Sequence, residues 1–255
     1  MIPKIIHFTW FSNDPYPDTV KRCMETWKEF LPDYEFIHWD MEKISGIDNN
    51  FLKQALEMKK WAFAADYVRL YALVNHGGIY IDTDVLVYKN FDELLANKAF
   101  IGRENSFHLQ GRRGVRYLTS HFMGGEKGHS FFKTCLDYYT DRNFILSRQE
   151  WLPANLKFDL TILPEIQYEI AKTQGYDPSE KVKGTQLLDN GLAVYPFQYF
   201  DSFDQNKKSY IRHLALGGWR EIKNKGIANF NLKKKAHIVI HRLVEAAGYS
   251  IFKNL

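Results

Sequence analysis

The stretch Ile79-Tyr80-Ile81-Asp82-Thr83-Asp84 places two carboxylates two residues apart at the end of an apolar alternating run. Hard carboxylate oxygens at that spacing suit a divalent cation such as Mn²⁺ or Mg²⁺. Such a cation can hold a diphosphate and stabilise the charge that grows on a departing phosphate oxygen. Two residues along an extended strand span ~7 Å, with both side chains on one face. The spacing therefore predicts one direct ligand, with the second acting through water or a ribose hydroxyl. The same triplet serves equally well as a turn that closes a strand. Upstream, Asp66 and Arg69 lie at i, i+3 of a helical pattern and share one face. Taken by themselves they are a surface ion pair worth ~0–1 kcal/mol. That helix, however, feeds through Gly77-Gly78 into the Asp82 strand. Both charges can thus reach the end of a sheet where open α/β folds bind ligands.

The elements that must position these residues alternate along the chain. Ile2 to Phe11 reads as a short buried strand, broken by Ser12-Asn13-Asp14-Pro15-Tyr16-Pro17. Asp18 can cap a helix to Phe30 with Val20, Met24 and Trp27 at helical spacing, and Tyr34 to Trp39 forms the next strand. Strand, crossover helix and strand make a βαβ unit, hence a parallel sheet. Residues 51–76 carry the longest helical pattern, broken near Lys59-Lys60, with Trp61, Ala65, Val68 and Ala72 forming one apolar stripe. Gly77 stops it as a left-handed residue. Strands follow over 79–87, interrupted by the aspartates, and over 99–103, with a short helix over 91–97 between them. Residues 104–120 read as a mobile basic loop, 130–140 as a helix, and 141–180 as helical with breaks at Pro153 and Pro164. Late strand material lies at 187–197, and a basic helix at 233–252.

Composition narrows the class. The 255 residues are 45% hydrophobic and 25% charged, as expected of one α/β domain with a helical insertion. Aromatic residues reach 16%, which serves either ring-lined sites or simple packing. The net charge of +4 concentrates late, at Lys233-Lys234-Lys235 and Arg242, and suits an anionic partner. Cys23 and Cys135 show no metal-binding spacing and read as buried free thiols. No run approaches the ~18–20 apolar residues of a membrane span, and no secretory leader pattern opens the chain. The expected location is cytoplasmic, with peripheral contact to the inner face of the cell membrane through the basic 233–255 segment.

The stretch Ala64-Ala65-Asp66-Tyr67-Val68-Arg69-Leu70-Tyr71-Ala72-Leu73 through Gly77-Gly78-Ile79-Tyr80-Ile81-Asp82-Thr83-Asp84 resembles the sugar-binding region of glycosyltransferase family 32. That family holds bacterial capsular-polysaccharide and fungal mannosyltransferase-like enzymes, and glucosylating bacterial toxins share the region. The opening Ile2-Pro3-Lys4-Ile5-Ile6-His7-Phe8-Thr9-Trp10 is similar to the family's first strand. The resemblance is strong over about residues 1–100 and thin beyond. It implies a GT-A fold, a Rossmann-like mixed sheet flanked by helices, and metal-dependent retaining transfer from a nucleotide sugar.

By position, the resemblance implies that Thr9 and Trp10 hold the base, with the indole stacking on it. Asp66 and Arg69 would contact donor sugar and phosphates, and Tyr80 would line the nucleotide pocket. Asp82 would touch ribose, sugar and metal, and Asp84 would be the principal ligand. The segment Ile211-Arg212-His213-Leu214-Ala215-Leu216-Gly217-Gly218-Trp219 is similar to a late His and Trp element, with His213 on the metal and Trp219 on phosphate. Gly218 stands where the family commonly has serine. Phe122 to His129 is similar to a loop near the transferred sugar, where Gly124 and Gly125 let backbone approach closely or simply form a turn. His213 alone reads equally as an ordinary loop histidine.

These readings divide the single domain into a nucleotide-sugar core (1–103), an acceptor-side loop and insertion (104–190), a late active-site part (191–232) and the basic helix (233–255). The expected reaction moves a hexose or hexosamine (galactose, glucose or N-acetylhexosamine) from a UDP-sugar. The acceptor would be a glycan or lipid-linked glycan of bacterial surface polysaccharide synthesis, recognised by residues 141–190 and by the basic loop with Arg112, Arg113 and Arg116. Rivals are a nucleotide-sugar hydrolase and a Ca²⁺-dependent carbohydrate-binding module, which needs neither Asp66, Arg69 nor a base platform. Nucleic-acid binding through the basic segments would be steeply salt-dependent and indifferent to Asp84; no nucleic-acid partner is expected.

Overall fold

A computed structural model describes residues 1–106, 108–110, 113–201 and 208–216. The chain divides into two compact units, Met1–Trp219 and Arg220–Leu255, and all described residues belong to the first. Arg112, Gly218, Trp219 and the 233–252 helix lie outside the described residues.

Strand β1 (Ile5–Thr9) runs into helix α1 (Asp18–Phe30), which buries Val20, Cys23 and Trp27, and then into β2 (Glu35–Trp39). β1 and β2 pair in parallel, as the βαβ pattern requires. Asp18 does not cap α1. Pro17 holds the cap position without a side-chain bond, and Asp18 sits in the first turn, where its charge favours the helix dipole. The 51–76 pattern resolves into α2 (Asn50–Glu57) and α3 (Trp61–His76), split where Lys59 takes a φ of 53°. The Asn49 side chain caps α2 by accepting from the Leu52 amide.

α3 departs from the single expected stripe. Ala64 through Leu70 are all buried, while Trp61, the first stripe residue, is exposed. The helix is wedged between the sheet and the neighbours α2 and α4 (Ser130–Asp137), so two of its sides meet protein. Small Ala64, Ala65 and Ala72 permit that close approach, and Asp66 and Arg69 are carried inside with them.

β3 (Gly78–Ile81) and β4 (Val85–Val87) flank the aspartates. A 3₁₀ turn (Asp92–Ala96), β5 (Ala99–Arg103), the hairpin β6 (His108–Gln110) and β7 (Arg113–Val115), and β8 (Leu118–Gly125) follow. Then come α4, α5 (Ala154–Lys157), α6 (Leu163–Thr173), β9 (Gln186–Leu187), β10 (Leu192–Tyr195), α7 (Phe197–Phe200) and β11 (Ile211–His213). Pro164 opens α6 from its first turn instead of breaking a helix. The main sheet is mixed, in the order β2-β1-β3-β8-β5-β10-β9. β8 and the edge strand β9 run against the others. Helices flank this sheet, and both cysteines are buried free thiols.

Strand β8 corrects two expectations. Residues 104–120 are not one loop, and 122–125 are not a loop beside the sugar. Thr119 and His121 are polar yet buried: the Thr119 hydroxyl takes the Gly102 amide and donates to the Phe122 carbonyl, and His121 Nε2 bonds the Phe200 carbonyl. Gly125 pairs with Gly78, at the opposite end of β3 from Asp82. A Cβ on Gly125 would lie 2.8 Å from the Phe132 ring, and one on Gly124 would lie 2.6 Å from Phe100. These glycines make room for aromatic packing, so Gly125 does not approach a donor sugar.

The entry to β3 is fixed by a buried histidine. Gly77 has a φ of 70° and Gly78 of 104°, and a Cβ on Gly78 would meet the Ile5 carbonyl at 2.7 Å. His7 Nε2 donates to the Gly77 carbonyl at 2.8 Å, and its Nδ1 accepts from the Trp39 indole at 3.1 Å. Both nitrogens are committed to the neutral tautomer. Burial accordingly lowers the His7 pKa to about 4, despite the favourable Gly77 bond. A folded pKa below the unfolded value of 6.5 means that stability is full above pH 6.5 and falls as pH drops toward 4. From pH 7 to pH 5 the His7 contribution should fall by about 2 kcal/mol. Unfolding free energies of wild type and His7→Gln from urea titration should converge by that amount; parallel pH profiles would refute the assignment.

Candidate functional site

The C-terminal ends of β1, β3, β5 and β10 share one edge of the sheet, and Thr9, Trp10, Tyr80, Asp82, Asp84 and His213 gather there, whereas Gly125 does not. After Ile81 the chain continues pairing for one residue, with the Asp82 amide on the His121 carbonyl at 2.9 Å. It then turns through Thr83 and Asp84, the Val85 amide returning to the Asp82 carbonyl at 3.2 Å. β4 leaves the main sheet and pairs antiparallel with β11, His213 opposite Val85. The Asp84 carbonyl accepts from the Leu214 amide, and its Oδ2 accepts from the Leu216 amide at 3.0 Å. Ligand atoms of Asp82, Asp84 and His213 consequently lie within 4.8 Å of one another. The turn, not an extended strand, brings the carboxylates together. The bland turn reading and the metal reading describe the same backbone.

His213 Nε2 stands 3.2 Å from Asp84 Oδ1. Burial disfavours charge on both groups. Their mutual attraction wins: the imidazole is held above its ordinary range, and the Asp84 carboxyl below its own, helped by the Leu216 amide.

Beneath this corner lies a polar chain. Arg69 Nη2 is 3.3 Å from Asp66 Oδ1 and 3.5 Å from Asp82 Oδ1; Nε donates to the Ala65 carbonyl and Nη1 to the Ser120 carbonyl at 2.6 Å. Its guanidinium carbon is 4.6 Å from the Tyr80 ring centroid. The Tyr80 hydroxyl donates to Asp82 Oδ1 at 2.9 Å, leaving its oxygen to accept from the Thr9 hydroxyl, also at 2.9 Å. With Arg69 only 4% and Asp66 7% exposed, this is no surface ion pair. The resemblance put both residues on the donor; here they lie buried beneath the corner, with Arg69 between Asp66 and Asp82. Burial raises the Asp66 pKa to about 6 against the pull of Arg69 and the Leu163 amide. Tyr80 is buried too and reaches the site through its hydroxyl alone. Trp10, at the end of β1, is half-buried; its indole donates to the Asp14 carbonyl, and its ring lies 5.1 Å from Tyr16.

Two further residues escaped the sequence reading. His121 stacks on His213 with centroids 4.2 Å apart and planes 18° apart, and Asp201 brings a carboxylate within 4.8 Å of both imidazoles. Burial, reinforced by the neighbouring His213 charge, lowers the His121 pKa to about 4. Near-parallel rings cannot both aim in-plane lone pairs at one ion. His121 therefore backs His213, and the fitting donor set is Asp82, Asp84 and His213: two carboxylates and an imidazole, suited to Mn²⁺ or Mg²⁺. Among the described residues around it, Asp66, Asp82, Asp84 and Asp201 outnumber Arg69 and His213, an excess of negative charge that favours a cation. A strand reading of 118–125 would have exposed His121, because that register sets Phe122 opposite Ile81.

Residues 17–101 match a family model described as a glycosyltransferase sugar-binding region containing a DXD motif. Inositol phosphoceramide mannosyltransferase 3 of Schizosaccharomyces pombe is 32% identical over 134 residues, covering 51% of this chain and 35% of that protein. Mannosyl phosphorylinositol ceramide synthase SUR1 of Saccharomyces cerevisiae is 31% identical over 144 residues, covering 53% and 34%. The chain thus spans about a third of the length of these curated relatives. Among solved structures, the PaToxG glycosyltransferase aligns with a TM-score of 0.45 at 19% identity, over 68% of this chain and 70% of that one. That last likeness is distant.

Proposed function

We propose that this chain, whose residues 17–101 belong to the glycosyltransferases with a DXD sugar-binding region, is a metal-dependent retaining transferase of GT-A type. It moves a hexose or hexosamine from a nucleotide diphosphate sugar to a glycan or lipid-linked glycan. The observation that supports this reading best is the convergence of Asp82, Asp84 and His213 over the buried Arg69–Asp66 pair. Those three residues would hold Mn²⁺ or Mg²⁺, which when bound supplies Lewis-acid stabilisation of a leaving diphosphate.

The chain's own residues do the rest. Arg69 and the Tyr80 hydroxyl fix the Asp82 carboxylate, so its oxygens need no reorganisation when a donor arrives. Thr9 locks Tyr80 in turn. Trp10 offers an aromatic face at the base end of the same edge, and His121 holds the plane of His213. The domain division keeps 1–103 as the donor core, with the acceptor side following it. Retention comes from the family resemblance.

The first reading of the donor is UDP-linked. The names of the curated relatives, a mannosyltransferase and a mannosyl phosphorylinositol ceramide synthase, favour a second, a mannose on UDP or GDP. Calorimetry with UDP and GDP in Mn²⁺, followed by donor hydrolysis across UDP- and GDP-sugars, separates them. Micromolar binding of one nucleotide is the expected result. Binding of neither would sink the transferase, and binding with hydrolysis unaffected by any glycan would favour the hydrolase.

A further inference from the structure

Large apolar side chains are exposed together in one short segment, at Leu146, Trp151, Leu156 and Leu160, with Trp151 78% and Leu146 60% exposed. The backbone explains why. Ile145 bridges Phe158 antiparallel, the Leu146 amide donates to the Lys157 carbonyl at 2.8 Å, and the Asp159 amide donates to the Phe144 carbonyl at 2.9 Å. This ribbon is rooted in the core at Phe144 and Phe158, whose rings stack 5.3 Å apart, and Phe144 packs on Phe51 and Phe63. Beyond the root it leaves the core. Leu146 and Leu156 stand at its outer end, and the turn between them carries Trp151 and α5, which buries no side chain. The root is also fixed to α2: the Gln54 side chain bonds Asn143 and the Ile145 amide, and Arg148 pairs with both oxygens of Glu57. A rigid root thus presents an apolar tip.

Lysines ring the root. Lys60 Nζ and Lys157 Nζ lie 5.9 and 5.6 Å from the Phe158 ring centroid. Lysine stems lie along apolar surface and keep the ammonium at its edge, where it meets lipid phosphates once an apolar tip enters the headgroup boundary. With Arg148 and Glu57 paired, the segments 59–60 and 141–159 hold the cations Lys59, Lys60, Arg142 and Lys157 against the acids Asp141, Glu150 and Asp159. The tip also stands beside the donor corner. The chain leaves it through exposed Leu160, and the Leu163 amide donates to Asp66 Oδ2 at 3.3 Å. Exposed Trp61 opens α3 about 7.5 Å along the helix from Asp66. A second copy of the chain is a poor occupant. A stable protein interface takes about 800 Å² and roughly 20–30 residues a side, whereas the tip offers Leu146, Trp151 and Leu156 alone. Tryptophan between leucines, above lysines, is the composition of an interfacial membrane anchor.

We propose that this tip docks the protein on a lipid bilayer, with Leu146, Trp151 and Leu156 at the headgroup boundary and Lys60 and Lys157 against lipid phosphates. The surface is distinct from the basic 233–255 segment. It acts through insertion more than through charge, because the cations around the root exceed the acids by a single charge. Docking brings the donor corner to the headgroup layer and makes the acceptor a lipid-linked glycan. That consequence rests on the transferase reading; the docking itself does not.

The test is flotation of the full chain with phosphatidylcholine vesicles, with and without phosphatidylglycerol, in low and high salt. Wild type should float with both, more tightly with phosphatidylglycerol, and high salt should weaken it only to the neutral-vesicle level. Trp151→Ser should lower partitioning about tenfold, and the Leu146→Ser, Leu156→Ser double variant at least as much. Lys60→Gln should weaken binding to the anionic vesicles by about fivefold and leave neutral vesicles unaffected. Lipid brominated near the headgroup should quench tryptophan emission in wild type, and less so in Trp151→Ser. Because Trp151, Leu146 and Leu156 are exposed, their variants should keep the wild-type melt and nucleotide affinity in Mn²⁺. No flotation of wild type, or flotation indifferent to the Trp151 and leucine variants, overturns the proposal; in the latter case, loss in high salt moves the contact to the basic segment. Self-association abolished by Trp151→Ser, without flotation, would assign the tip to a second copy and overturn it too. Tip-dependent flotation of a protein that binds neither UDP nor GDP would uphold the docking and reject the transferase.

Discussion

Replacing Asp84 with asparagine is expected to reduce metal-dependent nucleotide affinity and sugar transfer by more than about 100-fold while leaving the fold intact. Loss of a residue that merely supports a ligand costs about 10–100-fold, and Asp84 is proposed as a ligand itself, with its carboxylate within 4.8 Å of the ligand atoms of Asp82 and His213. Its structural duties are modest. Asparagine keeps an oxygen for the Leu216 amide, and the backbone bond to Leu214 does not involve the side chain. The main local effect is on His213, whose pKa should fall once its anionic partner is gone. Calorimetry with nucleotide and Mn²⁺, beside a thermal melt, reads both halves. Wild-type activity in Asp84→Asn would defeat the metal assignment; a melt lowered by 10 °C or more would show the turn itself depends on the charge.

Arg69→Met should produce the largest loss of stability, about 3–5 kcal/mol, because it strands the buried Asp66 carboxylate and frees Asp82. Asp66→Asn in the same chain should restore part of that loss, since no isolated charge then remains. Lysine cannot substitute: one ammonium cannot reach Asp66, Asp82 and the Ser120 and Ala65 carbonyls together. Urea unfolding of the single and double variants measures the coupling. A cost below about 1 kcal/mol would mean that water screens the pair.

Local signals explain which elements were legible in the sequence. The α1 boundaries, β5 and the Lys59 break follow from turn residues and periodicity, which act over a few neighbours. Strand β8 did not, because Thr119 and His121 are tied to Gly102 and Phe200, 17 and 79 residues away in the chain. The depth of Asp66 and Arg69 was hidden for a related reason: a helix buried on two sides has no single stripe to announce it. At the site, the aspartates were found by spacing, yet their convergence was not. That depended on a turn and on β11, far along the chain. Asp201 offered no signal of its own.

The pairing of β11 with β4 gives the site an unusual dependence on chain order. The carboxylates stand between β3 and β4, whereas the imidazole comes from a three-residue ribbon far later in the chain that pairs with β4. The ribbon is anchored in the core, with Ile211 0% and the preceding Tyr210 4% exposed. A cation shared by Asp82, Asp84 and His213 would staple distant parts of the chain, closing a long loop as a cross-link does. Occupancy of the site and the pairing of β11 on β4 would then be linked, each favouring the other.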